Sequence, residues 1–214
     1  MANNHIGKTT FFGDTLIAVN SSVVAAGNPG IRFCEGNSTA CEFNGVVIAS
    51  NEGTGASNLI RFQNGLGQSV FNRRAYFNNN CSGSASIIDV SYRGNAVFND
   101  NAYCSATGGA GVSFGRGNGT SAFSSTCRIL FGAGGYSASN FLLNKVQQLG
   151  ARGPVTISLG GATILTVSNS SFGEEIDFIA PQVNFVRDTF NNAVRITKNG
   201  TGNNVWTGGN VFND

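Results

Sequence analysis

The sequence predicts an all-β chain folded as a parallel β-helix (β-solenoid), most simply a right-handed one. Three observations carry that expectation. Short apolar runs alternate with polar residues along most of the chain. One loose phrase recurs where those runs end. Cys81, Cys104 and Cys127 recur at roughly 23 residues, an interval in the range of repeat architectures.

The runs come first. Thr15-Leu16-Ile17-Ala18-Val19, Gly45-Val46-Val47-Ile48, Ile87-Ile88-Asp89-Val90, Thr163-Ile164-Leu165-Thr166-Val167 and Ala193-Val194-Arg195-Ile196 each lie between clusters of Gly, Asn and Ser. β-branched residues with turn formers on both sides read as short strands.

The phrase comes second. It reads IRF from Ile31, IRF from Ile60, VSY from Val90, VSF from Val112 and ILF from Ile129, each followed closely by Gly or Asn. Residues two apart on a strand share a face, so the apolar–aromatic pair points inward. The residue between points outward: Arg32, Arg61, Ser91, Ser113 and Leu130. Gly and Asn then supply the backbone angles of a corner. One such unit is too small to bury its own apolar face, and stacking units builds a continuous core.

The cysteines come third. On this reading VFNDNAYCSATGGAGVSF, 97–114, is one rung: Phe98 and Phe114 in the core, Asn101 at a corner and Gly108-Gly109 a turn. Cys104 is then the middle step of a ladder with Cys81 and Cys127. Cys34 and Cys41 bracket a short polar loop and are placed to pair across it as a disulfide.

One short helix is expected over 140–149, where Phe141, Leu142, Val146 and Leu149 fall near helical spacing. The alternative fold is a β-sandwich or jelly roll, which also uses many short strands. Residues 1–214 read as one domain. The polar start, MANNHIGK, has no signal-peptide core, so the segment is expected to come from a longer surface protein.

Composition bounds the function. Charged residues make up 11% of the chain, well under the roughly 25% of ordinary domains. Hydrophobic residues at 41% suffice for a core. A formal net charge of +2 is too small to predict nucleic-acid binding by field alone. No apolar run approaches the roughly 18 residues of a membrane span, so this segment is not expected to insert.

The stretch AVFNDNAYCSATGGAGVSF resembles the repeats of the polymorphic outer-membrane proteins, β-helical autotransporter adhesins that carry F-x-x-N and G-G-A-apolar tetrapeptides. F-x-x-N stands here at Phe77–Asn80, Phe98–Asn101 and Phe141–Asn144. GGA stands at Gly108–Ala110 and Gly160–Ala162, followed by Gly111 and Thr163 where the family has Ile, Leu or Val. The chain is similar more broadly to right-handed parallel β-helix surface proteins. That resemblance implies an extracellular, adhesive or stalk-like role and transfers no active-site residues.

The site candidates are few. Arg32 and Arg61 share the outward slot, and Arg73, Arg74, Arg93 and Arg116 lie nearby in sequence. Stacking would line some of them into a basic stripe for a sulfated, phosphorylated or carboxylated polymer, DNA included. Trp206 is suited either to stack on a sugar ring or to plug the end of the core. Glu174, Glu175 and Asp177 form the densest acidic cluster, with carboxylates suited to Ca²⁺ or to acid–base work on a glycan. The single His5 and the absence of C-x-x-C spacing give no zinc or nucleophile motif, so no cofactor and no enzyme are expected. The expected function is a cell-surface adhesin binding host or neighbouring-cell glycans or a surface receptor. The alternatives are a phage tail-spike or fibre module and a polysaccharide-cleaving enzyme.

Overall fold

The computed structural model describes residues 4–6, 9–23, 30–36, 39–124, 127–148, 150 and 155–213. Among these the chain is all-β, with parallel strands in stacked sheets and no helix. Consecutive strands fall in successive sheets, so the chain travels in circuits. Nine strands build the first sheet in chain order: Asn4–Ile6, Gly30–Phe33, Leu59–Arg61, Ile87–Val90, Gly111–Phe114, Asn140–Asn144, Ile164–Ser168, Gln182–Val186 and Val205–Thr207. The strand after each of these joins a second nine-stranded sheet, running from Thr9–Phe11 and Cys41–Phe43 to Val211–Phe212. The third strands divide between two sheets. One holds Thr15–Asn20, Val46–Asn51, Ala75–Asn79, Ala102–Ala106 and Ile129–Tyr136, and the other Val155–Ser158, Ile176–Ala180 and Val194–Lys198. A sandwich or jelly roll pairs its strands antiparallel. The pairings here are parallel, as in Ile87–Val90 against Gly111–Phe114.

Like stacks on like inside. In the second sheet Phe11, Phe43, Phe71, Phe98 and Phe123 stand in register, with ring centroids from 4.5 to 5.1 Å apart. Gln148 takes the next rung, and Phe172, Phe190 and Phe212 resume the ladder. In the first sheet Phe33 and Phe62 stack at 4.7 Å. Val90, Phe114, Leu143, Val167, Phe185 and Trp206 follow there in register. Each stacked aromatic pair adds about 0.5–1.5 kcal/mol beyond the area it buries.

The corner from the first to the second sheet is the most regular feature. In eight successive circuits its residue takes positive φ: Cys34, Gln63, Ser91, Gly115, Lys145, Asn169, Arg187 and Gly208, from 47° to 78° among the non-glycines and glycines alike. Only Gly115 and Gly208 enter that region without a Cβ penalty. The other corner is held by side-chain amides. The Asn20, Asn51 and Asn79 Nδ2 groups donate to the carbonyls of Leu59, Ile87 and Gly111, all at the head of first-sheet strands. Buried backbone carbonyls thus find partners where the ladder turns. Tyr136 extends the device: its hydroxyl donates to the Asn140 carbonyl at 2.6 Å and accepts from Val112 N–H at 2.7 Å.

Several expectations need correction. Over 140–149 the chain forms two strands, Asn140–Asn144 and Val146–Gln148, with Lys145 turning the corner at φ 54°; Leu149 lies outside the described residues. Phe141 and Leu143 point inward from one sheet and Val146 from the next, so the apparent helical spacing came from two strands read across a corner. The phrase at Val90 is also out of register. The unit equivalent to Ile60-Arg61-Phe62 is Ile88-Asp89-Val90, and Ser91 is the buried corner residue. Leu130 faces outward from the third sheet, beside Tyr103.

The three cysteines occupy neighbouring circuits but share no line. Cys104 pairs in register with Phe77 and Phe131, whereas Cys81 and Cys127 lie outside the strands in the flanking corners. Equivalent residues here, such as Asn78 and Ser105, are 27 apart. A step of roughly 23 therefore slides a few residues along each circuit. Phe98 and Phe114 are fully buried, as expected, and Gly109 turns at φ 68°. Burial pushes the Cys104 thiol up, which makes it an inert core residue.

Candidate functional site

The outer face of the five-stranded third sheet carries a partly exposed row of large apolar and aromatic residues. Outward residues in register run Ile17, Ile48, Tyr76, Tyr103 and Leu130. The Tyr76 and Tyr103 rings stack at 4.8 Å and 14°, both partly exposed. Beside them runs a polar row: Ser105 Oγ donates to Asn78 Oδ1 at 2.8 Å, and Asn78 Nδ2 reaches Ser50 Oγ at 3.4 Å. At the strand heads a cleft of about 460 Å³ is lined by Phe12, Asp14, Asn44, Arg73, Arg74 and Asp100. Hydrogen bonding to Tyr76, reinforced by Tyr103 and Asp100, holds the Arg74 guanidinium above its ordinary value. Two stacked aromatic rings, a strip of amide and hydroxyl groups and a cleft of mixed charge thus share one face.

Arg73 and Arg74 belong to this face; the other arginine candidates do not. Arg32 and Arg61 are register partners in the outward slot of the first sheet, as the phrase predicted. Asp89 is the next residue in that slot and is fully buried. Arg61 grips it through Nε at 3.2 Å and Nη2 at 3.0 Å, and donates from Nη1 to Asn64 Oδ1. The Arg61 guanidinium also lies 3.5 Å from the Tyr92 ring centroid, with Arg93 at 5.9 Å. Arg116 Nη1 stands 3.6 Å from Asp89 Oδ2. Burial raises the Asp89 carboxyl above its usual range, against the pull of Arg61 and Arg116. Trp206 sits on the last first-sheet strand against Phe185, 53% exposed, and extends a core ladder.

The acidic cluster does not assemble. Glu174 is buried and paired with Arg128 Nε at 3.4 Å. Asp177 receives Arg195 Nη2 at 2.7 Å and Nε at 3.2 Å, and that hydrogen bonding lowers its pKa. Glu175 is exposed between them. Among the described residues no group of three His, Cys, Asp or Glu side chains could hold a metal ion.

Cys34 and Cys41 form a disulfide, Cα–Cα 5.8 Å, tying a first-sheet corner to the second-sheet strand that follows. Tyr76 and Tyr103 are the residues that the sequence reading missed. Their signal was Ala75-Tyr76-Phe77 and Ala102-Tyr103-Cys104, apolar–Tyr–apolar triplets in register. The intervening Tyr is the outward residue by the period-two rule.

The chain matches no protein-family model, and no curated protein or solved structure matches it.

Proposed function

We propose that the circuits are the coils of a right-handed parallel β-helix, and that the chain is a cell-surface adhesin domain binding glycan through the outer face of its third sheet. The stacked Tyr76–Tyr103 pair carries this reading. The two partly exposed, stacked rings form a rigid aromatic edge against which the apolar face of a sugar ring can pack. Arg73, Arg74 and Asp100 stand beside it to hydrogen-bond hydroxyl or acidic groups. The β-helix reading is supported by the three-sheet circuit and the residue ladders. The extracellular reading is supported by the Cys34–Cys41 disulfide, a bond that persists in oxidising compartments.

A glycan array followed by calorimetry on the best ligand tests the binding site. The expected result is saturable binding that Tyr76→Ala and Tyr103→Ala each weaken by about tenfold, the scale of a lost stacking contact. Circular dichroism should stay unchanged, since both side chains face outward. No binding to any glycan, or full binding by both variants, overturns the proposal.

A further inference from the structure

The outer slot of the first sheet is a different surface from the tyrosine face, and its chemistry is unfinished. Among the described residues Arg32 makes no hydrogen bond or ion pair, and its Nη1 is shielded from water. A desolvated guanidinium nitrogen without an acceptor is costly and uncommon in folded proteins. Its register neighbour Arg61 cannot share the Asp89 carboxylate with it, because Arg61 already takes Asp89 Oδ2 with two nitrogens. On the far side of Asp89, Arg116 is half exposed and touches that carboxylate only at 3.6 Å, which leaves most of its donors free. Arg93 is exposed above Tyr92. Counting Glu35 at the neighbouring corner and Asp89, this strip still holds four arginines against two carboxylates.

The slot continues into a groove. Beyond Asp89 the register residues are Ser113, Leu142 and Thr166. A depression of about 260 Å³ runs beside them, lined by Arg116, Ser113, Asn140 and Thr166 and by the apolar Ile87, Ala110 and Leu142. The exposed Asn140 and the partly exposed Thr166 supply polar groups beside an apolar floor, a wall suited to a sugar ring. Successive positions in the slot are one strand apart, about 4.8 Å. That spacing is close to the length of one hexopyranose in an extended chain.

We propose that this slot is a second ligand site, taking a linear acidic saccharide laid along the strand-stacking direction. Its oxyanions, carboxylate or sulfate, meet Arg32 and Arg116, and a neutral stretch crosses the groove at Ser113 and Thr166. The Arg61–Asp89 pair between them, braced by Tyr92 and Asn64, is the fixed floor of the site. Guanidinium forks suit both oxyanions, so the geometry names the shared chemistry.

Calorimetry of the full chain with tetragalacturonate, with a sulfated tetrasaccharide and with neutral maltotetraose tests it. At least one acidic tetramer should bind, and the stronger of the two identifies the oxyanion. Arg32→Gln and Arg116→Gln together should weaken it about a hundredfold, roughly tenfold for each charge-assisted contact. The same variant should keep the wild-type melting temperature in the absence of ligand and lose the ligand-induced rise. Tyr76→Ala should leave this binding intact, which separates the site from the tyrosine face. Two results overturn the proposal: neither acidic tetramer binds, or the double variant binds as the wild type does.

Discussion

The early circuits and the late circuits solve the same stacking problem with different materials. From Phe11 to Phe123 equivalent residues stand 25 to 32 apart, as in Phe98 to Phe123 and Phe11 to Phe43. Every rung of the second sheet there is a Phe, and amide side chains of Asn20, Asn51 and Asn79 close one corner. From Ser170 onward the interval shrinks: Ser170 and Asp188 are 18 apart, Asp188 and Asn210 are 22 apart. Here the other corner is stitched by side chains that each take an N–H from the circuit before. Val146 N–H goes to Ser170 Oγ, Ser170 N–H to Asp188 Oδ1, and Asp188 N–H to Asn210 Oδ1. Loops have been trimmed, and short polar side chains do the work that longer turns did earlier.

The change of style is abrupt. The Phe ladder is interrupted at Gln148, and the third sheet divides between Ile129–Tyr136 and Val155–Ser158. The positive-φ corner residue also moves one place further from the ladder residue, from Gly115 after Phe114 to Lys145 after Asn144. All three fall within one circuit. A stacked structure tolerates such a seam because each circuit contacts only its neighbours.

If the early region is the better-packed half, truncation should hurt most there. Phe98→Ala removes a fully buried ring stacked on Phe71 at 4.7 Å and Phe123 at 4.5 Å. Its expected cost is about 3–5 kcal/mol in urea unfolding. Phe212→Ala, at a rung left 49% exposed, should cost under about 1 kcal/mol. Equal costs would break the contrast between a continuous ladder and its open end.

The late region should carry the sharper pH response. Burial pushes the Asp188 carboxyl up to about 6 from 3.8, outweighing its two bonds from Ser170 and Val186 N–H. The folded protein therefore holds this proton more tightly than the unfolded chain. Its contribution is fully present below about pH 4 and is lost as pH rises through about 6. Melting temperatures between pH 4 and 6 should fall in the wild type relative to Asp188→Asn. Parallel profiles would remove the pH dependence from this corner. Asp177 has the opposite sign, since Arg195 lowers its pKa, so its contribution is lost only as pH falls below the usual carboxylate range.

The seam itself gives the smallest effect and the most informative sign. Gln148 Nε2 is buried without a hydrogen-bond partner, between Phe123 and Phe172. Gln148→Leu keeps the volume and removes the orphan donor, so it should stabilise by about 1 kcal/mol. A loss of similar size would mean that the amide is a needed part of the seam.

How much of this was legible can be traced residue by residue. The Ile31-Arg32-Phe33 and Ile60-Arg61-Phe62 units fell in register as read, because period-two alternation is a local property of the chain. The Cys34–Cys41 pairing was legible because the loop between them is short. The ion-pair partners of the acidic residues were not legible because Arg128 and Arg195 lie in other circuits. The 140–149 helix failed because a sharp corner at Lys145 is invisible to a spacing count.

By itself, then, the sequence determined the short strands, their inward and outward faces and the all-β class, since each depends on near neighbours and on which side chains avoid water. Only the tertiary structure decided which residue stacks on which. Circuit length varies from 18 to 32 residues among the pairs above, so no fixed interval finds the partner. The register that puts Tyr76 on Tyr103, Asp89 beside Arg61 and Gln148 among phenylalanines exists only once neighbouring circuits have hydrogen-bonded edge to edge.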